Sequence, residues 1–253
     1  MGAAAHRCEP PTGRSLRLAS PTLAFEASLC GRFVRRYKRF FADIETDEGR
    51  TLTVHCANPG SMLGFHRPGA QVRCSTSDNP KRKLRHTLEM MRVGRIWVGL
   101  NTLRANAVVE RALEAGTLST LAHYTEITRE VVVEQGSRLD FALRARRTRT
   151  AYMEVKSVTL AERGTALFPD SVTERGLRHL EVLTRLRRAR KRALLCFLVQ
   201  RADCERVAPA DAIDPAYGQA LRRAARAGVE LLAFGARVSS RGIRVERALP
   251  VVL

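Results

Sequence analysis

In the stretch AYMEVKSVTL, residues 151–160, an acid and an ammonium, Glu154 and Lys156, stand two positions apart in a run whose apolar and β-branched residues predict a strand. Side chains alternate across a strand, so Glu154 and Lys156 share one face while Met153 and Val155 point to the other. Central strands are normally apolar on both faces, so a carboxylate beside an ammonium implies a use for the pair. Alone, the tripeptide is a weak signal: 25 acids and five lysines in 253 residues supply roughly 0.5 acid-x-Lys matches by chance. A surface ion pair worth under ~1 kcal/mol is the bland alternative.

Its company strengthens the signal. The preceding segment SRLDFALRA carries Asp140 among Leu139, Phe141 and Leu143, and a hairpin between the two strands brings Asp140 toward Glu154. Upstream, the helical segment ANAVVERALEAG carries Glu110. Adjacent carboxylates repel unless a cation sits between them. Mg²⁺, or Mn²⁺ in its place, takes a couple of carboxylates and completes its shell with waters and phosphate oxygens. Asp140 and Glu154 are therefore the expected metal ligands. Lys156 would stabilise an attacking water or the charge building on a phosphate, and Glu110 would hold a metal-bound water or a second ion. Asp140 has a competing reading as an ion-pair partner of Arg138 or Arg144.

These side chains need elements to position them. Residues 23–100 read as short strands, LCGRFVRR, RFFADIET, RTLTVHC, AQVRCSTS, RHTLEMMRV and RIWVGL, separated by turn-forming segments. So many short strands in so short a span predict a small barrel of the oligonucleotide-binding (OB) type. Residues 101–253 change period: a helix ending at Gly116, three strands, a helix, a strand, DPAYGQALRRAARAG as a helix, and VELLAFGARV as the last strand. Ser171 and Glu174 are placed to form a capping box at the start of the second helix. This α/β layering puts sites at strand ends. The chain thus reads as two domains, a β-barrel of α+β character and then an α/β domain, behind a loose polar tail over residues 1–22.

The net charge of +19 points to a phosphate-bearing partner, whether nucleic acid, phosphorylated ligands or an anionic membrane surface; a nucleic acid, DNA or RNA, would be gripped mainly through its backbone. Arginine supplies nearly all the positive charge. No apolar run approaches the ~18 residues of a membrane span, and the six cysteines form no CxxC pair, which fits a reduced, cytoplasmic setting without zinc. No Gly-rich phosphate loop is present. Basic residues interleaved with aromatics in RRYKRFF (Arg35, Arg36, Tyr37, Lys38, Arg39, with Phe40 and Phe41) suit single-strand stacking, against a bland reading of core aromatics and a solvated basic face. The loop NPKRK presents Lys81, Arg82 and Lys83. Arg175 and His179, one helical turn apart, either reach phosphate at the site or line the helix surface. Gln200, at a strand end, either touches DNA or a metal-bound water, or caps.

A helix acid, an Asp on one strand and Glu-x-Lys on the next resemble the PD-(D/E)xK nucleases. More specifically, GRFVRRYKRFFADI, NPGSMLG, SDNPKRK, VGLNT, GSRLDFAL, YMEVKSVTL, FPDSVTERGLRHLEVL and FLVQRADC together resemble the sugar fermentation stimulation protein family, across about residues 23–235. The resemblance implies a cytoplasmic bacterial DNA-binding protein: an OB-like barrel joined to a nuclease-like α/β domain, with a link to sugar-catabolic (maltose-type) gene regulation. By position it assigns the nuclease-like site to Asp140, Glu154 and Lys156, with Glu110 as the helix acid. The chain departs from that pattern at Leu139, where nuclease relatives often carry Pro, and at Pro59, where Thr is expected. Two functions follow as expectations: a Mg²⁺-dependent phosphodiesterase acting on DNA, or a catalytically silent DNA-binding regulator.

Overall fold

The computed structural model describes residues 20–134 and 136–253. The tail expected over residues 1–22 lies outside the described residues as far as residue 19. Ser20 is buried, with its hydroxyl 2.6 Å from that of Thr117. Strand β1 (Leu23–Ala24) then pairs antiparallel with a strand near the C-terminus, Leu23 opposite Ile243. Leu23 and Phe25 pack against the core of the second domain. The barrel therefore starts later than residue 23, because these apolar side chains find their partners elsewhere.

Each of the six strands expected in the first half forms: β2 (Leu29–Tyr37), β3 (Phe41–Thr46), β4 (Thr51–His55), β5 (Gln71–Thr76), β6 (His86–Val93) and β7 (Ile96–Gly99). They run in the order β4-β3-β2-β5-β6-β7, and a parallel contact between β4 and β6, His55 opposite Thr87, closes the barrel. Alternate residues point inward, so Phe33, Ile44, Val54, Val72, Leu88, Met91 and Val98 fill the interior. Closure bends β2 hard against β3: a Cβ at Gly31 would lie 2.5 Å from the Glu45 carbonyl oxygen, so only glycine fits there.

Arg36 has a structural task in place of the phosphate contact expected of it. Its guanidinium donates to the carbonyls of Arg39 (2.9 Å), Ser61 (3.2 Å), Asn58 (2.7 Å) and Gly60 (2.9 Å). These bonds set the shape of the NPGSM loop after β4. That loop reaches the second domain, where the Ser61 hydroxyl donates to the Asp170 carbonyl and the Met62 amide donates to Asp170 Oδ2 at 3.0 Å.

The second domain opens with α1 (Arg104–Glu114), then β8 (Glu126–Glu134), β9 (Ser137–Arg144) and β10 (Ala151–Val158). Short strands β11 (Ala161–Glu162) and β12 (Thr165–Phe168) precede α2 (Glu174–Arg188), followed by β13 (Arg192–Val199), β14 (Arg206–Pro209), α3 (Pro215–Arg226), β15 (Glu230–Ser239) and β16 (Gly242–Ala248). The main sheet runs β1-β16-β15-β13-β10-β9-β8, with β10, β13 and β15 parallel at its centre. The core residues of α1 cluster on one side of it, and those of α2 and α3 on the other. Strand β15 was expected to be the last; β16 follows it, alternating Ile243 and Val245 inward with Arg244 and Glu246 outward. The small sheet β11-β12-β14 was also not anticipated, its strands being two to four residues long. At α2 the cap is Thr173, whose hydroxyl accepts from the Gly176 amide at 3.0 Å, and not Ser171. Glu174 thus becomes the first helical residue and cannot close the expected box.

The domains are bolted together at the end of the barrel. Buried Glu89 of β6 takes two bonds from the Arg104 guanidinium (2.8 and 3.2 Å), one from Asn101 (3.0 Å) and one from the Ser75 hydroxyl (2.7 Å). Gln200, placed among DNA contacts by sequence, belongs to this junction. It is 0% exposed, its side-chain amide donates to the Ser157 hydroxyl at 2.6 Å and its backbone carbonyl accepts from the Gly99 amide at 2.9 Å. Burial at a domain seam removes it from reach of nucleic acid. Among the described residues, no helix is long and apolar enough to cross a membrane.

Because Arg36 satisfies several carbonyls at once, Arg36→Ala is expected to destabilise the fold by about 2 kcal/mol, lowering the melting temperature by roughly 4–8 °C in calorimetry. An unchanged melting temperature would return Arg36 to the pool of free phosphate-binding cations.

Candidate active site

Strands β9 and β10 separate at one point, and the site lies there. β10 pairs with β13 along its whole length, from Ala151 to Val158, but with β9 only from Ala151 to Met153. The register places Met153 opposite Phe141, so the next pair along is Glu154 and Asp140, where the ladder stops. Leu139 and Phe141, two residues apart, join different hydrophobic clusters, so β9 turns its face at Asp140. The Val155 amide, released from the ladder, donates to Asp140 Oδ2 at 2.7 Å. Asp140 Oδ1 accepts from the Asn106 amide of α1 at 2.7 Å. The alternative arginine partners are engaged elsewhere, Arg138 with Glu130 (2.7 Å) and Arg144 with Thr128 (3.1 Å).

Glu154 approaches from the α2 side. Its Oε1 accepts from Lys156 Nζ at 2.7 Å and from His179 Nδ1. The other carboxylate oxygen, Oε2, is buried and has no hydrogen-bond partner among the described residues. His179, proposed from sequence as a phosphate contact, is thus buried against the carboxylate, while Arg175 one turn earlier is exposed.

Burial and the negative charge of Glu154 push the Asp140 carboxyl up to about 6, against the bonds from Val155 and Asn106 that favour its ionised form. Burial also opposes charge on Glu154. There the His179 hydrogen bond and the Lys156 ammonium outweigh it and hold the carboxyl below its usual range. Among the described residues, no three His, Cys, Asp or Glu side chains converge into a ready cage for an ion. Two carboxylates with spare lone pairs, one bearing an orphaned oxygen, fit Mg²⁺, which keeps several waters and needs few protein ligands.

Glu110 lies further along α1, where Arg129 binds it at 3.2 Å. The residue of that helix touching Asp140 is Asn106, which sequence reasoning missed. The signal was available, since Asn106 precedes Glu110 by four residues and so shares its helix face. Arg35 is also committed, at 2.8 Å from buried Asp43, and the Tyr37 hydroxyl donates to the same carboxylate at 3.2 Å. The Tyr37 ring stacks on Phe41, centroids 5.6 Å apart, so both aromatics serve the barrel wall. What RRYKRFF leaves outward is its turn: Lys38, Arg39 and Phe40, the last 42% exposed. Lys81 and Lys83 are exposed too, and Arg82 is half-buried with a bond to the Thr87 hydroxyl at 2.9 Å.

The Asp140 carboxyl lies above the ~3.9 of an unfolded chain, so folded protein binds the extra proton. Stability is therefore lost as pH rises from about 4 through about 6. Asp140→Asn removes the buried charge, and a flip of the Asn106 amide keeps both neighbours bonded. In EDTA the variant is expected to melt several degrees above wild type at pH 7.5, on the order of 2 kcal/mol, and to match it near pH 4. A gap of constant size across that range would contradict a buried charge at Asp140.

Comparison with known proteins accords with this two-part architecture. The family description "SfsA N-terminal OB domain" matches residues 34–100, and "Sugar fermentation stimulation protein RE domain" matches residues 103–242. A sugar fermentation stimulation protein homolog of Geobacter sulfurreducens is 47% identical over 222 residues, 88% of this chain and 95% of that one. The homolog of Pseudomonas putida KT2440 is 50% identical over 228 residues, with 88% and 95% covered. Among solved structures, Pyrococcus furiosus SfsA in complex with Ca²⁺ superposes with a TM-score of 0.83 at 27% identity, covering 91% of this chain and 99% of that one. On this sequence and structural agreement, the chain belongs to the sugar fermentation stimulation protein family.

Proposed function

We propose that this protein binds DNA and hydrolyses its phosphodiester backbone with the help of Mg²⁺ or Mn²⁺. The observation that carries the reading is the buried, partnerless Oε2 of Glu154 beside Asp140 at the point where β9 and β10 part. An orphaned carboxylate oxygen next to a second acid is a costly arrangement in a metal-free fold and a useful one for a cation. Asp140 and Glu154 would hold the ion, which when bound supplies a Lewis acid for the phosphoryl oxygens and a water of lowered pKa. Lys156, kept in place by Glu154, would offset the charge that builds on the phosphate. Asn106 and the Val155 amide orient Asp140, and His179 orients Glu154. That the Pyrococcus furiosus relative was solved with Ca²⁺ supports a divalent ion here, since Ca²⁺ and Mg²⁺ share a preference for hard oxygen ligands.

The partner reading rests on charge. At +19 the chain attracts polyanions, and Lys38, Arg39, Lys81, Lys83 and Arg175 are exposed. Their contacts would be with phosphates, giving affinity with little sequence dependence. A second reading, a non-cleaving regulator of sugar-catabolic genes, is favoured by one observation: Lys156 and Glu110 are each already ion-paired, with Glu154 and Arg129.

Incubating purified protein with labelled single-stranded and duplex DNA, and with RNA of matched sequence, in Mg²⁺ or Mn²⁺ decides between them. Cleavage is expected, DNA in preference to RNA. Glu154→Gln is expected to abolish it, and Lys156→Ala to slow it by about 10²–10³-fold. Binding should survive both changes and weaken steeply between 50 and 200 mM salt. Salt-sensitive binding with no product under either ion would establish the regulator instead.

A further inference from the structure

Beside the candidate metal site lies a cleft of about 390 Å³ between the two domains, which hydrolysis alone does not require. Its barrel side is made by Arg39 at the β2–β3 turn and by Asn58–Gly60. Its other side is the segment from Phe168 to Thr173 and the first turn of α2, with Arg175. The residues that directly follow Lys156 in the chain, Ser157 to Leu160, line it as well. Arg175 stands four residues before His179, ~6 Å along the helix, and His179 touches both Glu154 and Lys156. The cleft thus adjoins the site through neighbouring stretches of β10 and α2, while Asp140, Glu154, Lys156 and His179 themselves do not line it.

Its chemistry has three parts. Arg39 and Arg175 are exposed cations at its edges. Asp170, the single acid lining it among the described residues, is occupied by the Met62 amide. Leu160, Leu167, Phe168, Pro169 and Val172 supply an apolar wall, with Val172 71% exposed. At the barrel wall Asn58 is buried, its Oδ1 accepting from the Gly60 amide at 2.9 Å, and its Nδ2 has no partner among the described residues. Gly60 holds the gap closed at its base, for a Cβ there would lie 2.4 Å from an Asp170 carboxylate oxygen. Cations and an apolar wall match the phosphate and face of one unstacked nucleotide, with the Asn58 amide buried behind that wall. The volume sits low in the range of small-ligand pockets, about 300–1,000 Å³, and has no room for a duplex.

We infer that this cleft receives an unpaired nucleotide flanking the phosphate to be cut, and that the protein therefore selects single-stranded nucleic acid. The inference rests on reading Asp140, Glu154 and Lys156 as the cutting site.

The test is fluorescence anisotropy of the full chain in EDTA, with a labelled 12-nucleotide DNA strand and the blunt duplex of the same sequence as probes. The strand is expected to bind at least ten-fold tighter than the duplex. Replacing Arg39 and Arg175 together by Ala is expected to weaken strand binding about ten-fold and duplex binding by clearly less, the loss of general phosphate contacts alone. A 4-thiothymidine placed mid-strand should cross-link within residues 167–175. Equal affinity for strand and duplex, unchanged strand binding by the double variant, or cross-links confined to other surfaces would each overturn the inference. None of these readouts needs turnover. Strand selectivity without cleavage would sink the catalytic reading alone, and cleavage with equal strand and duplex binding would sink this inference alone.

Discussion

The parting of β9 from β10 after a single short ladder is the constraint on which the site depends. A fully paired hairpin would spend the Val155 amide on a backbone carbonyl and leave Asp140 and Glu154 as two like charges side by side. Because the strands diverge, Asp140 takes that amide, turns toward α1, and still feels the charge of Glu154. Glu154 remains on β10, pinned by its full pairing with β13, and meets α2 through His179. Each carboxylate is thus fixed by a different helix. The buried Oε2 of Glu154, without a partner among the described residues, is an unfavourable feature that packing elsewhere must offset.

The barrel docks close to the candidate site, its Arg39 and NPG segment lining a cleft with the residues that follow Lys156. β10 runs on past Lys156 toward the domain seam, where Gln200, Asn101 and Glu89 form a buried polar network. Buried networks of this kind are stable only when most members are satisfied, and they fix one arrangement. The NPGSM loop, shaped by Arg36 and seated on Asp170, brings the barrel's β2–β3 turn up to the α2 N-terminus. Arginines in the same sequence run therefore have different fates. Arg36 holds the loop, Arg35 neutralises Asp43, and Arg39 faces outward.

Much of the fold was legible because it follows periodicity. The six barrel strands alternate clearly enough to be marked from their residues, and α1 and α3 stop at or near glycine. What escaped notice had little pattern to show. β11, β12 and β14 are too short to establish a period, and β16 carries so many charges that it resembles a polar tail. The α2 cap was misplaced by two residues because Ser171 and Thr173 are equally able to cap. The choice falls to the buried Asp214, which accepts from the Thr173 amide at 2.9 Å and also caps α3.

By itself, the order of residues determined the two-domain plan, the strongly basic surface and the shortlist Asp140, Glu154, Lys156 and Glu110. Each of these depends on local spacing and composition. Only the tertiary structure decided which shortlisted groups meet: Asn106 rather than Glu110 bonds Asp140, His179 lies buried on Glu154, and Gln200 is sealed in the seam. The reason is physical. Alternation and helical period say which face a side chain takes, but the partner on that face comes from a distant part of the chain, through strand divergence and domain docking that no local window contains.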